Sequence, residues 1–267
     1  MSTLRGSPQA LSGLAACAAL LGDLTAAQRA LVEQRTLPLL APAFLSAGEK
    51  RLGEAWRSAT RGRLTEACDL LTQAARSARE TGHLTGEALL LTDVARLGGA
   101  KDVADRLGEL ASASDSVFVF ARAGLAAGLA GNDPDQLIAA ARGLEAIGAD
   151  LLAAEAAAAA AIYRRTGQIR QATAASRRAQ ASVAHCDGAR TPLLADLEAG
   201  VTLTPREREI ALLVADSTAS KDIATTLHLS VRTVDNHLQH VYTKLGVTTR
   251  RQLADALGVD TNRNPAR

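Results

Sequence analysis

The sequence predicts an all-α protein: an array of helical hairpins followed by a small four-helix domain. Three observations carry this. Aromatic residues make up only 2% of the chain, and its apolar content is dominated by Ala and Leu, which favour packed helices over sheets. Apolar residues recur at spacings of three and four through most of the 267 residues. Near residue 200 the pattern changes, from long Ala-rich segments to short helices separated by Ser and Thr caps.

The helical segments follow one another from the start. The run Leu11–Leu24 reads as an ordinary Ala/Leu helix, although Arg5 ahead of it gives it the outline of a secretion signal. In "RLTEACDLLTQAARSARETG", Leu64, Ala67, Leu71, Ala74, Ala75 and Ala78 make one apolar face, and Gly82 ends the helix. Further segments close at Gly98–Gly99, Gly131 and Gly148. Asp133 followed by Pro134 suits an N-cap and first helical position. "LLAAEAAAAAAIYRRTG" has high helix propensity, and Glu155 and Arg164 rule it out as a membrane span. Gly62, Gly98, Gly131 and Gly167 recur at steps of 36, 33 and 36 residues. A period near 34 fits paired antiparallel helices of tetratricopeptide type, with Trp56, Gly62 and Ala67 as large residue, turn and small residue; a plain helical bundle is the alternative. The expected organisation is a tetratricopeptide-like helical region over 1–186, a linker over 187–202, a helix-turn-helix domain over 203–258 and a disordered tail over 259–267.

Several functions are excluded or weakened. The net charge is +2, carried by nine Lys/Arg against seven Asp/Glu from Val201 onward, a weak sign of nucleic-acid binding by itself. Cys17, Cys68 and Cys186 are far apart and form no metal or disulfide pattern, as suits reduced thiols in a cytoplasmic protein. No apolar run reaches the ~18–20 residues of a membrane helix, so no membrane partner is expected. "GLAAGLAG" (124–131) lacks the preceding strand and following Lys-Ser/Thr of a phosphate loop. No catalytic constellation and no cofactor site is legible, so the protein is expected not to be an enzyme. His237 and His240 form an HxxH without a third ligand, and no metal is expected.

The C-terminal segment is more specific. In "LTPREREIALLVA", Thr204, Pro205 and Glu207 make a complete capping box, with Ile210, Leu213 and Val214 inward. Ser220 is expected to cap a second, short helix whose Ile223, Ala224 and Leu227 face the core. "HLS" (228–230) is a tight turn, and Ser230 caps a third helix with an inner stripe of Val231, Val234, Leu238, Val241 and Leu245. Gly246 ends that helix, and Thr248–Gly258 supplies a fourth. Arg232, Asp235, Asn236 and Gln239 occupy the outer side of the third helix. Two short helices joined by a tight turn, the second with a polar outer face, describe a helix-turn-helix. A solvated face on a structural helix would give the same pattern.

"LTPRERE", "DIATTLHLSVRTVDNHLQHVYTKLGV" and "TRRQL" resemble the LuxR-type DNA-binding domain over Leu203–Leu257. The resemblance implies double-stranded DNA as partner, with Asp235, Asn236 and Gln239 reading bases. It implies that Lys221, Arg232, Thr233 and Lys244 contact the DNA backbone; the basic Arg250 and Arg251 are further candidates. The family often has Lys where this chain has Asp235, which puts the usual target sequence in doubt. A homodimer on DNA through the fourth helix, with Leu253 and Leu257, is implied too. The helical region is similar to that of the large ATP-binding LuxR regulators of actinobacteria, which suggests a short relative or a fragment. RNA polymerase, a small effector or self-association would engage it. The competing expectation is a helical-repeat scaffold with a minor DNA-binding role.

Overall fold

The computed structural model describes residues 7–37, 49–161, 163, 167–199 and 203–257; the expected tail at 259–267 lies outside them. Every regular element among the described residues is helical. The first region comprises α1 (Pro8–Leu20), α2 (Leu24–Thr36), α3 (Leu52–Thr60), α4 (Leu64–Glu80), α5 (Leu84–Val94), α6 (Ala100–Ser112), α7 (Val117–Gly131), α8 (Pro134–Ala146), α9 (Asp150–Ala159) and α10 (Ile169–Val183). Each helix packs on its neighbour in chain order, and α3 to α9 follow one another through short turns.

Local chemistry sets these boundaries. Ser7, Asp23, Ser116 and Asp133 each accept a hydrogen bond from an amide in the following first turn. The face read from the sequence of α4 is the one buried: Leu64, Ala67, Leu71, Ala74, Ala75 and Ala78 are each at most 3% exposed. Small side chains let the helices approach closely, so two large, mainly Ala/Leu clusters fill the region, one over α1–α7 and one from α7 through α10 to Leu194.

A polar knot ties the first of these to the second. Trp56 of α3 donates its indole N–H to Asp93 of α5 at 2.9 Å. Arg96 lies in a wide π-turn, Ala95–Gly99, between α5 and α6. It donates to Asp93 at 2.5 Å and to both oxygens of Glu155 on α9 at 2.6 and 2.9 Å. Its guanidinium also stacks over the Trp56 ring, 4.5 Å from the centroid. All four side chains are buried.

The segment expected to be a linker contains a helix. α11 (Pro192–Ala199) packs on α9 and the π-turn, with Thr191, Leu193 and Leu194 buried. Leu193 and Leu194 give this stretch an apolar patch too short to register as a period in the sequence. The last region follows: α12 (Pro205–Ala215), α13 (Ser220–Thr226), α14 (Val231–Leu245) and α15 (Arg250–Ala256), around its own apolar cluster.

Candidate nucleic-acid interface

The interface is built on α14, and the rest of the domain exists to hold that helix. α12 begins with the expected capping box: Thr204 Oγ1 accepts from Glu207 N at 3.2 Å, and Glu207 Oε2 accepts from Thr204 N at 2.8 Å. Ile210, Ala211, Leu213 and Val214 then enter the core. α13 adds Ile223 and Ala224, Leu227 follows at its end, and α15 adds Leu253 and Ala254. Ser230 caps α14 by accepting from Thr233 N at 3.0 Å. Gly246 ends it in the left-handed conformation, φ 66°, where a side chain would be strained.

α14 faces this core with Val234, Leu238 and Val241, all buried. Leu245, on the last turn, is only half-buried, and Val231, the first residue of the helix, is 43% exposed. Ser220, expected as the cap of α13, instead occupies its first helical position; Ala219 stands at the cap, and its methyl group cannot accept a hydrogen bond. The Ser220 hydroxyl accepts from Arg250 Nη2 at 3.4 Å.

Asp235, Asn236 and Gln239 lie together on the exposed side of α14, and their side chains bond to no other described residue. Arg232, one turn back, and Lys221, on the first turn of α13, are exposed as well. Of the remaining candidates, Thr233, Arg250 and Lys244 are engaged inside the domain. Thr233 shares a hydrogen bond between its hydroxyl and that of Ser230, at 2.7 Å. Arg250 donates to the Thr218 carbonyl at 3.1 Å, tying α15 to the turn before α13. Arg251 is exposed beside it. Lys244 donates to both oxygens of Glu207, at 2.8 and 2.6 Å. That bond fastens the end of α14 to the capped start of α12. Burial raises the Glu207 pKa, but the bonds from Lys244 and Thr204 outweigh it and hold the carboxyl below its ordinary value. Local sequence signals do not reveal this strap, because its partners are 37 residues apart.

Leu253 and Leu257 are 0% and 6% exposed and close the domain core. Both are taken up by the domain's own core in this chain and are not free on the surface for the dimer face expected of them. Only seven residues long, α15 needs its apolar side chains for its own anchorage and presents Arg250, Arg251, Gln252 and Asp255 outward. His237 is half-buried and His240 exposed, and no group that could hold a metal occurs among the described residues.

The arrangement offers a rigid helix with an amide pair and a carboxylate in the open, flanked by cations. Amides donate and accept in patterns that match base edges, and a carboxylate accepts from an amino group. Lys and Arg at the margins suit phosphates.

Residues 201–257 match the family described as bacterial regulatory proteins, luxR family. Over 54 residues the chain is 52% identical to Rv0890c of Mycobacterium tuberculosis, named as an HTH-type transcriptional regulator. That segment is 20% of this chain and 6% of the relative. It is 39% identical over 77 residues to GfsR of Streptomyces halstedii, also named as an HTH-type transcriptional regulator, covering 28% of this chain and 32% of that one. The oxygen regulatory protein NreC of Staphylococcus aureus is 42% identical over 53 residues, 20% of this chain and 24% of NreC. The chain thus aligns with a third or less of these relatives' lengths. No solved structure matches it at a significant level.

Proposed function

We propose that this chain, whose C-terminal domain is a helix-turn-helix of the bacterial luxR family, is a sequence-specific DNA-binding transcriptional regulator. The observation that carries this reading is the free outer face of α14: Asp235, Asn236 and Gln239 are exposed on a helix whose opposite side is buried. A helix of that size fits the major groove, where those side chains meet base edges. Lys221, Arg232 and Arg251 grip phosphates, since each is exposed and makes no ion pair with another described residue. Lys244 and Arg250 act through the domain, the first on Glu207 and the second on Thr218. Relatives named as transcriptional regulators support the same assignment.

Two finer points belong to this reading. The chain works on double-stranded DNA in the cytoplasm; no helix among the described residues is long and apolar enough to cross a membrane. It dimerises on DNA through the polar outer side of α15 or through the helical array, which also receives an effector or polymerase. Selection from a random duplex pool with the purified chain tests the function. A shared motif, bound more tightly than random DNA at physiological salt, is the expected result. Equal affinity for all sequences would defeat it.

A further inference from the structure

The back of α12 is covered by the helical array. Glu209 on that helix is 4% exposed. Its Oε1 accepts from both the amide and the hydroxyl of Thr65, each at 2.7 Å, and its Oε2 accepts from Arg206 at 2.8 Å. Thr65 is the second residue of α4, whose own cap position, Arg63, supplies no side-chain bond. An N-cap side chain normally serves the second or third amide of a helix. Here a residue 144 positions away serves it.

Three other contacts lie along the same face. Gly62, in the turn between α3 and α4, has φ +80°. A Cβ there would come within 2.8 Å of Leu213 N and 2.9 Å of Leu212 Cβ, so α12 lies directly on this turn. Leu212 packs against both the array's apolar cluster and that of the C-terminal domain. At the start of α12, Pro205 Cβ lies 3.0 Å from where a Cβ on Gly98 would be, in the π-turn that also carries Arg96. The reading side of α14 stays exposed throughout.

We infer that the back of α12 is a docking surface for the α3–α4 corner of the same chain, latched by Glu209 capping α4, so that the array is a rigid mount for the DNA-binding domain and not a lid over it. Polar satisfaction and shape both argue for this occupant. A buried carboxylate needs donors, and the uncapped end of α4 provides them. The side chain missing at Gly62 leaves the space that the α12 backbone fills. The π-turn is then the point through which a change in the buried Arg96 knot reaches Pro205.

The latch itself is tested without DNA; only its consequence for regulation rests on the DNA-binding reading. In the full chain, amide exchange and ¹⁵N relaxation are measured for wild type, Glu209→Ala and Glu209→Ala/Gly62→Leu. Wild type is expected to protect the Thr65 amide and to give both regions one rotational correlation time. Glu209→Ala should speed Thr65 exchange by about tenfold or more, as loss of a cap does. The double variant should let the C-terminal domain tumble separately. Thr65→Val, which keeps the amide and removes the hydroxyl, gives a milder version should the others fail to fold. Separate tumbling in wild type, or unchanged Thr65 exchange in Glu209→Ala, would overturn the latch. A gain of more than about tenfold in affinity for a short DNA site on unlatching would overturn the mount and make the array a lid.

Discussion

Lys244 sits on the last turn of α14, yet its ammonium points back to Glu207, a carboxylate that also closes the capping box of α12. Lys244→Met should therefore lower the stability of the C-terminal domain, and any loss of DNA affinity should follow from the loosened helix. The Glu207 pKa is held below its unfolded value, so the interaction stabilises the fold above the ordinary glutamate range. That stability is lost as pH falls through the lowered value. Denaturant midpoints of wild type and Lys244→Met should differ at pH 7 and converge as the carboxyl protonates, below about pH 4. A gap that persists in acid would mean that packing, not charge, makes the difference. In the array, Glu155 is fully buried and bonds Arg96 through both oxygens, so Glu155→Ala should cost about 3 kcal/mol by leaving that buried cation with Asp93 as its one carboxylate partner. Arg122 is a contrast. It is 8% exposed and lies 4.2 Å over Phe118, its Nε has no hydrogen-bond partner, and burial lowers its pKa to about 10. Arg122→Met should leave the unfolding midpoint unchanged or raise it; a clear fall would show that its charge balances Asp93.

Elements were legible where their signal was local. The capping box of α12, the Asp133–Pro134 start and the buried face of α4 all lie within one or two helical turns, and each appears where the sequence indicated. The polar row on α14 is also local, and so is the cap at Ser230. Ser230→Ala should cost about 1 kcal/mol of domain stability, read in urea unfolding, and an unchanged midpoint would deny the cap its role. Short elements were read less well. α13 shows the expected inward Ile223, Ala224 and Leu227 but starts one residue earlier than expected; α15 spans only two turns, too few for periodicity to fix a face, so the outward role expected of Leu253 and Leu257 gave way to core packing. α11 was hidden for the same reason. Pairs that join distant segments, such as Trp56 with Asp93 or Glu209 with Thr65, leave no trace in local pattern.

At the scale of the whole molecule, the helical array carries the C-terminal four-helix domain at its α3–α4 corner. Cys68 lies at that junction. Burial, with the charges of Glu209 and Asp69, pushes its thiol up to about 12, whereas Cys17 is exposed. Iodoacetamide at pH 8 should therefore modify Cys17 well before Cys68, as mass spectrometry of time points would show. Equal rates would mean that the junction opens freely. The central claim is that the open face of α14 reads DNA sequence, and the most direct measurement is paired site selection with wild type and Asp235→Lys. The exchange replaces a negative charge by a positive one on that face, so non-specific binding should tighten and the base preferred at one position should change, with guanine gained. An identical selected sequence from the two proteins would contradict the account, because residue 235 would then not face the groove.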